Sequence, residues 1–224
     1  MGDFAGLNLG GHVGDEPSAV EANRRLVAGT LDVPRDHLLF MSQCHGCEVA
    51  VVDGPWVGEP PAVDGLVTTS TDLALAVLVA DCTPVLMVDM VAGVAAAVHA
   101  GRPGMMQGIV GHAVDAMNDL GARSISAVVG PSVCGRCYEV PEAMRSEAAA
   151  VSPVAASISW RGTPAIDVAA GVVDQLQARS VGVRWIRGCS RESEGLYSYR
   201  RRNRTGRFAG LVRLREPAEV HHDT

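Results

Sequence analysis

Residues 73–101 read LALAVLV-ADCTP-VLMV-DMVAG-VAAAV-HAG, and this stretch decides the fold. It holds three apolar runs of strand length, Leu73 to Val79, Val85 to Val88 and Val94 to Val98. Each run stops at polar or turn-forming residues: Asp81-Cys82-Thr83-Pro84, Asp89, and His99-Ala100-Gly101. Three strands in close succession are therefore expected, with any chemistry placed at their ends.

Working outward, Leu38 to Met41 and Glu48 to Val52 are short β-rich runs on either side of Ser42-Gln43-Cys44-His45-Gly46-Cys47, which reads as a turn between strands. Ser18 and Glu21 have capping-box spacing after Pro17, so a helix is expected through Ala28, with Gly29 as its stop. Met105 to Leu120 suits one long helix ended by Gly121, and Glu142 to Ala150 and Asp167 to Ala178 suit two more. Ile125 to Val129, Val183 to Ile186 and Phe208 to Leu214 supply further strands. No repeat, linker or composition break interrupts the 224 residues, so one domain of mixed helices and strands spans 1–224, with 1–6 and 216–224 expected as loose tails.

Composition narrows the chemistry. Hydrophobic residues make up 47% and charged residues 20%, as in a packed globular protein. All nineteen basic residues are arginine, which excludes a lysine Schiff base, a phosphate-loop lysine and a Ser-Lys dyad. A net charge of −6 argues against general affinity for nucleic acid or anionic membrane. The most apolar run is far short of the roughly 20 residues that span a bilayer, and no signal segment opens the chain. A soluble protein of the reducing cytoplasm is expected, in which six cysteines read first as metal ligands, nucleophiles or small core residues.

Three strand ends each carry a metal-ligand type: His45, Cys82 and His99. A His2Cys set leaves zinc an open fourth position for a water whose pKa falls to about 7, the catalytic pattern. The same residues also read as a buried small cysteine and two satisfied loop histidines, and spacing alone does not choose. Two CxxC pairs, Cys44/Cys47 and Cys134/Cys137, suggest a four-cysteine structural site, but the 86 residues between Cys47 and Cys134 far exceed the roughly 15–20 of zinc ribbons. A thioredoxin-like pair would open a helix after the first strand, whereas Cys44 to Cys47 lies between two strand-like runs, and both pairs stay secondary. The glycine-rich Asn8 to Asp15 could cradle a phosphate or be a flexible turn, and its spacing is not GxGxxG. Tyr199 to Arg207 carries arginines at 200, 201, 202, 204 and 207, able to grip a phosphate or carboxylate or to form a solvated hairpin tip.

Asn8-Leu9-Gly10, His12-Val13-Gly14-Asp15, Gln43-Cys44-His45-Gly46, Asp64-Gly65-Leu66-Val67-Thr68, Ala80-Asp81-Cys82-Thr83-Pro84, His99-Ala100-Gly101, Gly130-Pro131, Cys137-Tyr138-Glu139-Val140 and Ser198-Tyr199-Arg200-Arg201 with Thr205-Gly206-Arg207 occur in that order. Together they closely resemble the bacterial laccase-domain family, first called multicopper polyphenol oxidases and now described as purine nucleoside phosphorylases with adenosine deaminase activity. The resemblance runs from about Leu7 to Leu214. It implies an α+β fold of two packed mixed β-sheets flanked by helices, zinc held by His45, Cys82 and His99, and a pocket lined by Asn8, Arg24, Arg200 and Arg207; copper is allowed as an adventitious occupant of the zinc site. The implied substrates are a purine nucleoside and phosphate. Two departures stand out: the family continues His-Ala-Gly with Trp-Arg-Gly where this chain has Arg102-Pro103-Gly104, and it carries a further strand and a Gly-Gly-x-Ser segment ahead of Asn-Leu-Gly, so the N-terminal edge is expected to be incomplete.

On this reading phosphate attacks the ribose C1′ to release the base, adenosine can instead be deaminated to inosine, and Asp81, beside Cys82, either moves the proton or caps the turn. Two other readings stand beside it. One is a zinc or cysteine hydrolase editing peptidoglycan precursors, with Cys82 as nucleophile and His99 as base. The other is a non-catalytic module stabilised by zinc. Laccase chemistry is not expected, because a multicopper oxidase needs a histidine-rich ligand set beyond a His2Cys blue-copper centre, and the chain has seven histidines.

Overall fold

The computed structural model describes residues 2–215. The Leu73–Gly101 stretch forms strands, as expected, but they belong to two sheets. Ala74–Val79 (β4) is the middle of a three-stranded sheet between Leu38–Phe40 (β1), which runs parallel to it, and Phe208–Arg213 (β11), which runs antiparallel. Thr83–Asp89 (β5) and Val94–Ala100 (β6) form an antiparallel pair at the centre of a six-stranded sheet. There Ser126–Val129 (β7) and Gly182–Trp185 (β10) extend the β5 side, while Gly65–Thr68 (β3) and Val49–Val51 (β2) extend the β6 side. The sheet is mixed: β2 with β3 and β7 with β10 are parallel pairs, and the rest are antiparallel.

The two sheets pack face to face. Val77 and Leu75 of β4, Leu66 of β3 and Ala97 of β6 meet in one apolar cluster between them. The outer face of the small sheet is covered by helix Pro17–Thr30 (α1), where Val27 and Ala28 meet Leu38, Phe40 and Ala76. The outer face of the large sheet carries Ile109–Asp119 (α3) and Val168–Ala178 (α5), whose Ile109, Val110, Val172 and Leu176 pack on Val85, Met87 and Val98. Arg102–Met106 (α2) and Glu142–Val151 (α4) complete that layer. This is the expected helix-sheet-sheet-helix order. All of β4 is buried, because it is the central strand of a sheet covered on both faces; hence its unbroken apolar run.

Several local expectations are corrected. α1 starts at Pro17 with no side-chain cap, so Ser18 and Glu21 form no capping box: proline at the first helical position begins the helix two residues sooner. The helix expected over Met105 to Leu120 is two helices, α2 and α3, separated at Gly108, whose φ of +78° no regular helix can hold. β3 lies within the Asp64–Thr68 motif; its four residues are all buried and show no alternation. Ala156–Ile158 (β8) and Pro164–Ile166 (β9), a small separate hairpin, carried no strand signal. Residues 2–6 are tied down: Asp3 O accepts from Gly206 N, and Tyr197 Oη donates to Phe4 O at 3.1 Å. The tail expected at 216–224 lies outside the described residues. Among the described residues no helix is long and apolar enough to cross a membrane.

Candidate metal centre and cavity

The chain crosses between the sheets twice near the same place. From β1 it passes through residues 41–48 to β2, and from β4 through Ala80-Asp81-Cys82 to β5. His45 rides on the first crossing and Cys82 on the second. His99 is the next-to-last residue of β6, opposite Pro84 of β5, so the β5–β6 ladder sets it beside Cys82. The three ligand atoms lie within 4.8 Å of one another, with His45 Nε2 3.6 Å from Cys82 Sγ and the two imidazoles edge to face.

Two backbone features let these side chains converge. His45 and Asp81 both adopt positive φ, 61° and 101°, a conformation that costs non-glycine residues energy and that the surrounding hydrogen bonds hold in place. Gly101 supplies space: a Cβ there would sit 2.8 Å from His45 Cδ2 and 3.3 Å from Cys82 Sγ.

Asp64, which opens the Asp64–Thr68 motif and carries no ligand signal of its own, is the organising residue. Fully buried at the foot of β3, its Oδ1 lies 2.7 Å from His99 Nδ1 and accepts from His45 N at 3.0 Å. Its Oδ2 accepts from Gly46 N at 2.6 Å and from the Cys44 thiol at 3.1 Å. One carboxylate thus orients a candidate ligand and folds the loop that carries another. Burial opposes its charge, but the His99, Cys44 and Gly46 hydrogen bonds hold it well below the usual carboxylate range. Burial likewise works against charge on Cys82 and His99, and is overcome in both. Hydrogen bonds from His45 and His99 bring the Cys82 thiol down to about 6, and Asp64 and Cys82 hold the His99 imidazole up at about 9.

A thiolate and two imidazoles, with one imidazole fixed through its far nitrogen by a carboxylate, fit the donor set of a three-ligand zinc site. The arrangement opens onto a cavity of about 360 Å³, within the roughly 300–1,000 Å³ of small-molecule sites. Arg200 and Arg207 line this cavity with His45, Cys82 and His99, and His12 and Arg102 line it too. Arg102 therefore occupies the site despite its displaced position in the motif, with Nη1 3.4 Å from Met106 Sδ. Burial and the charges of Arg207 and Arg24 keep the His12 imidazole below its ordinary pKa, hence neutral at pH 7.

Not every expected pocket residue faces the cavity. Asn8 is fully buried behind it, with Oδ1 accepting from Gly10 N and Arg207 N and Nδ2 donating to Asp15. Its hydrogen-bonding capacity goes into shaping the glycine-rich turn and seating Arg207. Arg24 donates to Leu9 O and stacks on Phe40, 4.1 Å from the ring centroid. Asp81 lines the cavity, but Oδ1 accepts from Ser190 Oγ and Oδ2 from Arg200 N, both at 2.7 Å. Within the 199–207 segment Arg201 is exposed yet engaged: its guanidinium donates to the carbonyls of Ser190, Arg191, Ser193 and Leu196. Arg204 reaches Gly14 O at 3.2 Å.

A family model described as multi-copper polyphenol oxidoreductase laccase matches residues 1–215, and the chain belongs to that family. Among its curated relatives, a purine nucleoside phosphorylase of Streptomyces coelicolor is 56% identical, with 93% of this chain and 88% of the relative aligned. One of Mycobacterium tuberculosis is 48% identical over 93% of this chain and 85% of its own length. Crystal structures of YlmD from Geobacillus stearothermophilus and of a Neisseria meningitidis protein superpose with TM-scores of 0.85 and 0.83 at 32% and 30% identity. They cover 96% of this chain in both cases, and 87% and 89% of their own.

Proposed function

We propose that the protein is a zinc-dependent purine nucleoside phosphorylase that also deaminates adenosine. The observation that carries this reading is a single cavity joining the His45–Cys82–His99 donor set to Arg200 and Arg207, beside relatives named purine nucleoside phosphorylase. The donors suit a soft or borderline metal, and the arginines suit a phosphate dianion. His45, Cys82 and His99 would hold the zinc, which supplies a Lewis-acidic centre with one coordination position free.

The chain's own groups account for the rest. Arg207 and Arg200 bind phosphate and hold it for attack on C1′. Arg200 is braced by stacking on Tyr138, 4.2 Å from the ring centroid, and by its backbone N–H on Asp81, which makes Asp81 a positioning residue. As the phosphate oxygen bonds to C1′, the bond from C1′ to the purine nitrogen breaks and its electron pair leaves with the base. The proton carried by hydrogen phosphate ends on the purine, so the step balances without another acid, and neutral His12 is the relay the cavity offers. Deamination exchanges the 6-amino group for water and releases ammonia, using the same pocket without phosphate. We place the enzyme in the cytoplasm, in keeping with six free cysteines.

The test is metal analysis of the purified chain with product analysis after incubation with adenosine, with and without phosphate. Adenine and ribose 1-phosphate should form only with phosphate, and inosine should form in both. Bound zinc with neither product would sink the reading.

One observation favours a second reading: Cys82, His99 and Asp64 line up as thiol, imidazole and carboxylate, the geometry of a thiol hydrolase. Activity that survives complete zinc removal and dies on alkylation of Cys82 would select it.

A further inference from the structure

A second group of soft ligands lies outside this centre. Cys134 and Cys137 sit on the turn after β7, and Cys189 and Glu192 on the turn after β10. Because β7 and β10 pair in parallel, their C-terminal turns lie side by side. The three sulfurs and a Glu192 carboxylate oxygen all fall within 4.8 Å of one another. Tetrahedral zinc with bonds to sulfur of about 2.3 Å sets its sulfur ligands about 3.8 Å apart, so this cluster needs little movement to close on an ion.

The backbone follows the same hydrogen-bond pattern in both turns. Cys137 N and Tyr138 N donate to Cys134 O, and Glu192 N and Ser193 N donate to Cys189 O. Cys134 N also points at Cys189 Sγ, 3.5 Å away, and the Cys137 thiol donates to Glu192 Oε1 at 3.2 Å. The Glu192 carboxylate is oriented by Trp160 Nε1 at 3.1 Å, and Arg191 Nη1 sits 3.5 Å from Cys137 O, bringing positive charge beside a site that would be anionic. Cys137 and Cys189 are buried. Three thiols and a carboxylate are more than a disulfide needs, and all six cysteines are free.

We infer that Cys134, Cys137, Cys189 and Glu192 form a second, structural metal site of zinc type. Four protein ligands fill the tetrahedron, so it offers no open position for catalysis, in contrast to the three-ligand centre. Binding releases the thiol protons to solvent and ties the 133–139 loop to the 187–193 loop. These two loops frame Arg200: Tyr138 stacks on its guanidinium, Glu139 O accepts from its Nη1, and Ser190 holds the Asp81 carboxylate that receives its backbone N–H. The metal would thus brace the phosphate end of the cavity from outside it. The sequence hid this site because its third and fourth ligands lie far from the CxxC pair, 55 positions beyond Cys134 and Cys137 respectively.

The inference does not depend on the nucleoside reading, since its test counts metal and not turnover. Full-length protein carrying Cys82→Ala, which removes the thiolate of the first centre, is loaded with zinc or cobalt(II). It should keep one equivalent of metal, and the cobalt form should show the strong sulfur-to-cobalt charge-transfer band of several thiolates. Adding Cys134→Ser should remove both. Glu192→Gln, at an exposed side chain, should weaken metal affinity at least about tenfold, and it carries the test if the serine variant does not fold. A cobalt-loaded Cys82→Ala protein without a thiolate band would overturn the inference. So would affinity unchanged by Glu192→Gln, or a disulfide from Cys134 to Cys137 or Cys189 in freshly purified protein.

Discussion

His99 Nδ1 and Asp64 Oδ1 stand 2.7 Å apart, joined across the antiparallel β3–β6 pair, with both side chains sealed from solvent. The contact fixes which imidazole nitrogen is bound inward and leaves Nε2 for the metal side, while the same carboxylate ties down the His45 loop. Asp64→Asn should therefore weaken zinc binding by about 10–100-fold, the usual cost of losing a carboxylate behind a histidine ligand. Competition against a calibrated chelator measures it, and unchanged affinity would remove Asp64 from the metal centre.

Gly101→Ala separates crowding from backbone strain. Gly101 has φ of −75°, which alanine adopts freely, yet the new methyl would press on His45 and Cys82. Metal content should fall sharply with only a small change in melting temperature. A variant that binds zinc normally would show that the three side chains can reposition at little cost.

Arg207→Ala or Arg200→Ala should raise the phosphate KM by roughly ten- to a hundredfold, matching about 1.5–3 kcal/mol for a charged hydrogen bond. Arg204, on the Gly14 side, should be nearly silent when changed to Ala. Deamination uses no phosphate and should be less affected. Equal loss of both activities with zinc still bound would assign these arginines to the nucleoside or to the fold.

Arg201→Ala should act on stability and not on phosphate affinity. Its guanidinium collects four carbonyls of the 190–196 loop, and removing it leaves them to water. A loss of about 0.5–1.5 kcal/mol is expected, read by denaturant titration with a parallel phosphate KM. A raised KM at unchanged stability would reverse the assignment.

Asp89 provides a pH test away from both candidate metal sites. Its carboxylate accepts from the backbone N–H groups of Ala92, Ser124, Arg123 and Val91, which hold it well below the usual range. A depressed folded value stabilises the protein above the unfolded value of about 3.9. That contribution fades as pH falls below it. Asp89→Asn should lower the melting temperature at pH 7, and the gap to the parent should narrow below about pH 4. A gap that stays constant down to pH 3 would mean the carboxylate charge contributes nothing.

Much of this protein is written in local sequence. The strand runs of 73–101, the helices starting at Glu142 and after Asp167, and the strand-end positions of Cys82 and His99 are visible because burial on both faces demands unbroken apolar runs and polar residues mark where they stop, whereas His45 lies mid-loop, four residues from the nearest strand. The ordered motifs also marked the family. What the sequence could not decide is which strands share a sheet. β4 and β5 look like consecutive neighbours, yet they lie in different sheets, and that switch is what sets Cys82 at a crossing beside His45. Side-chain duties were equally hidden. Asn8, Asp81 and Arg201 have residue types suited to a pocket, but their polar atoms are taken up by other protein groups: Asn8 by Gly10 N, Arg207 N and Asp15, Asp81 by Ser190 Oγ and Arg200 N, and Arg201 by carbonyls of the 190–196 loop. Asp64 and His99, and the CxxC pair with Cys189 and Glu192, meet only through strand pairing, which joins residues far apart in the chain; periodicity reports which face a residue takes, and only the closed sheet decides whom it meets.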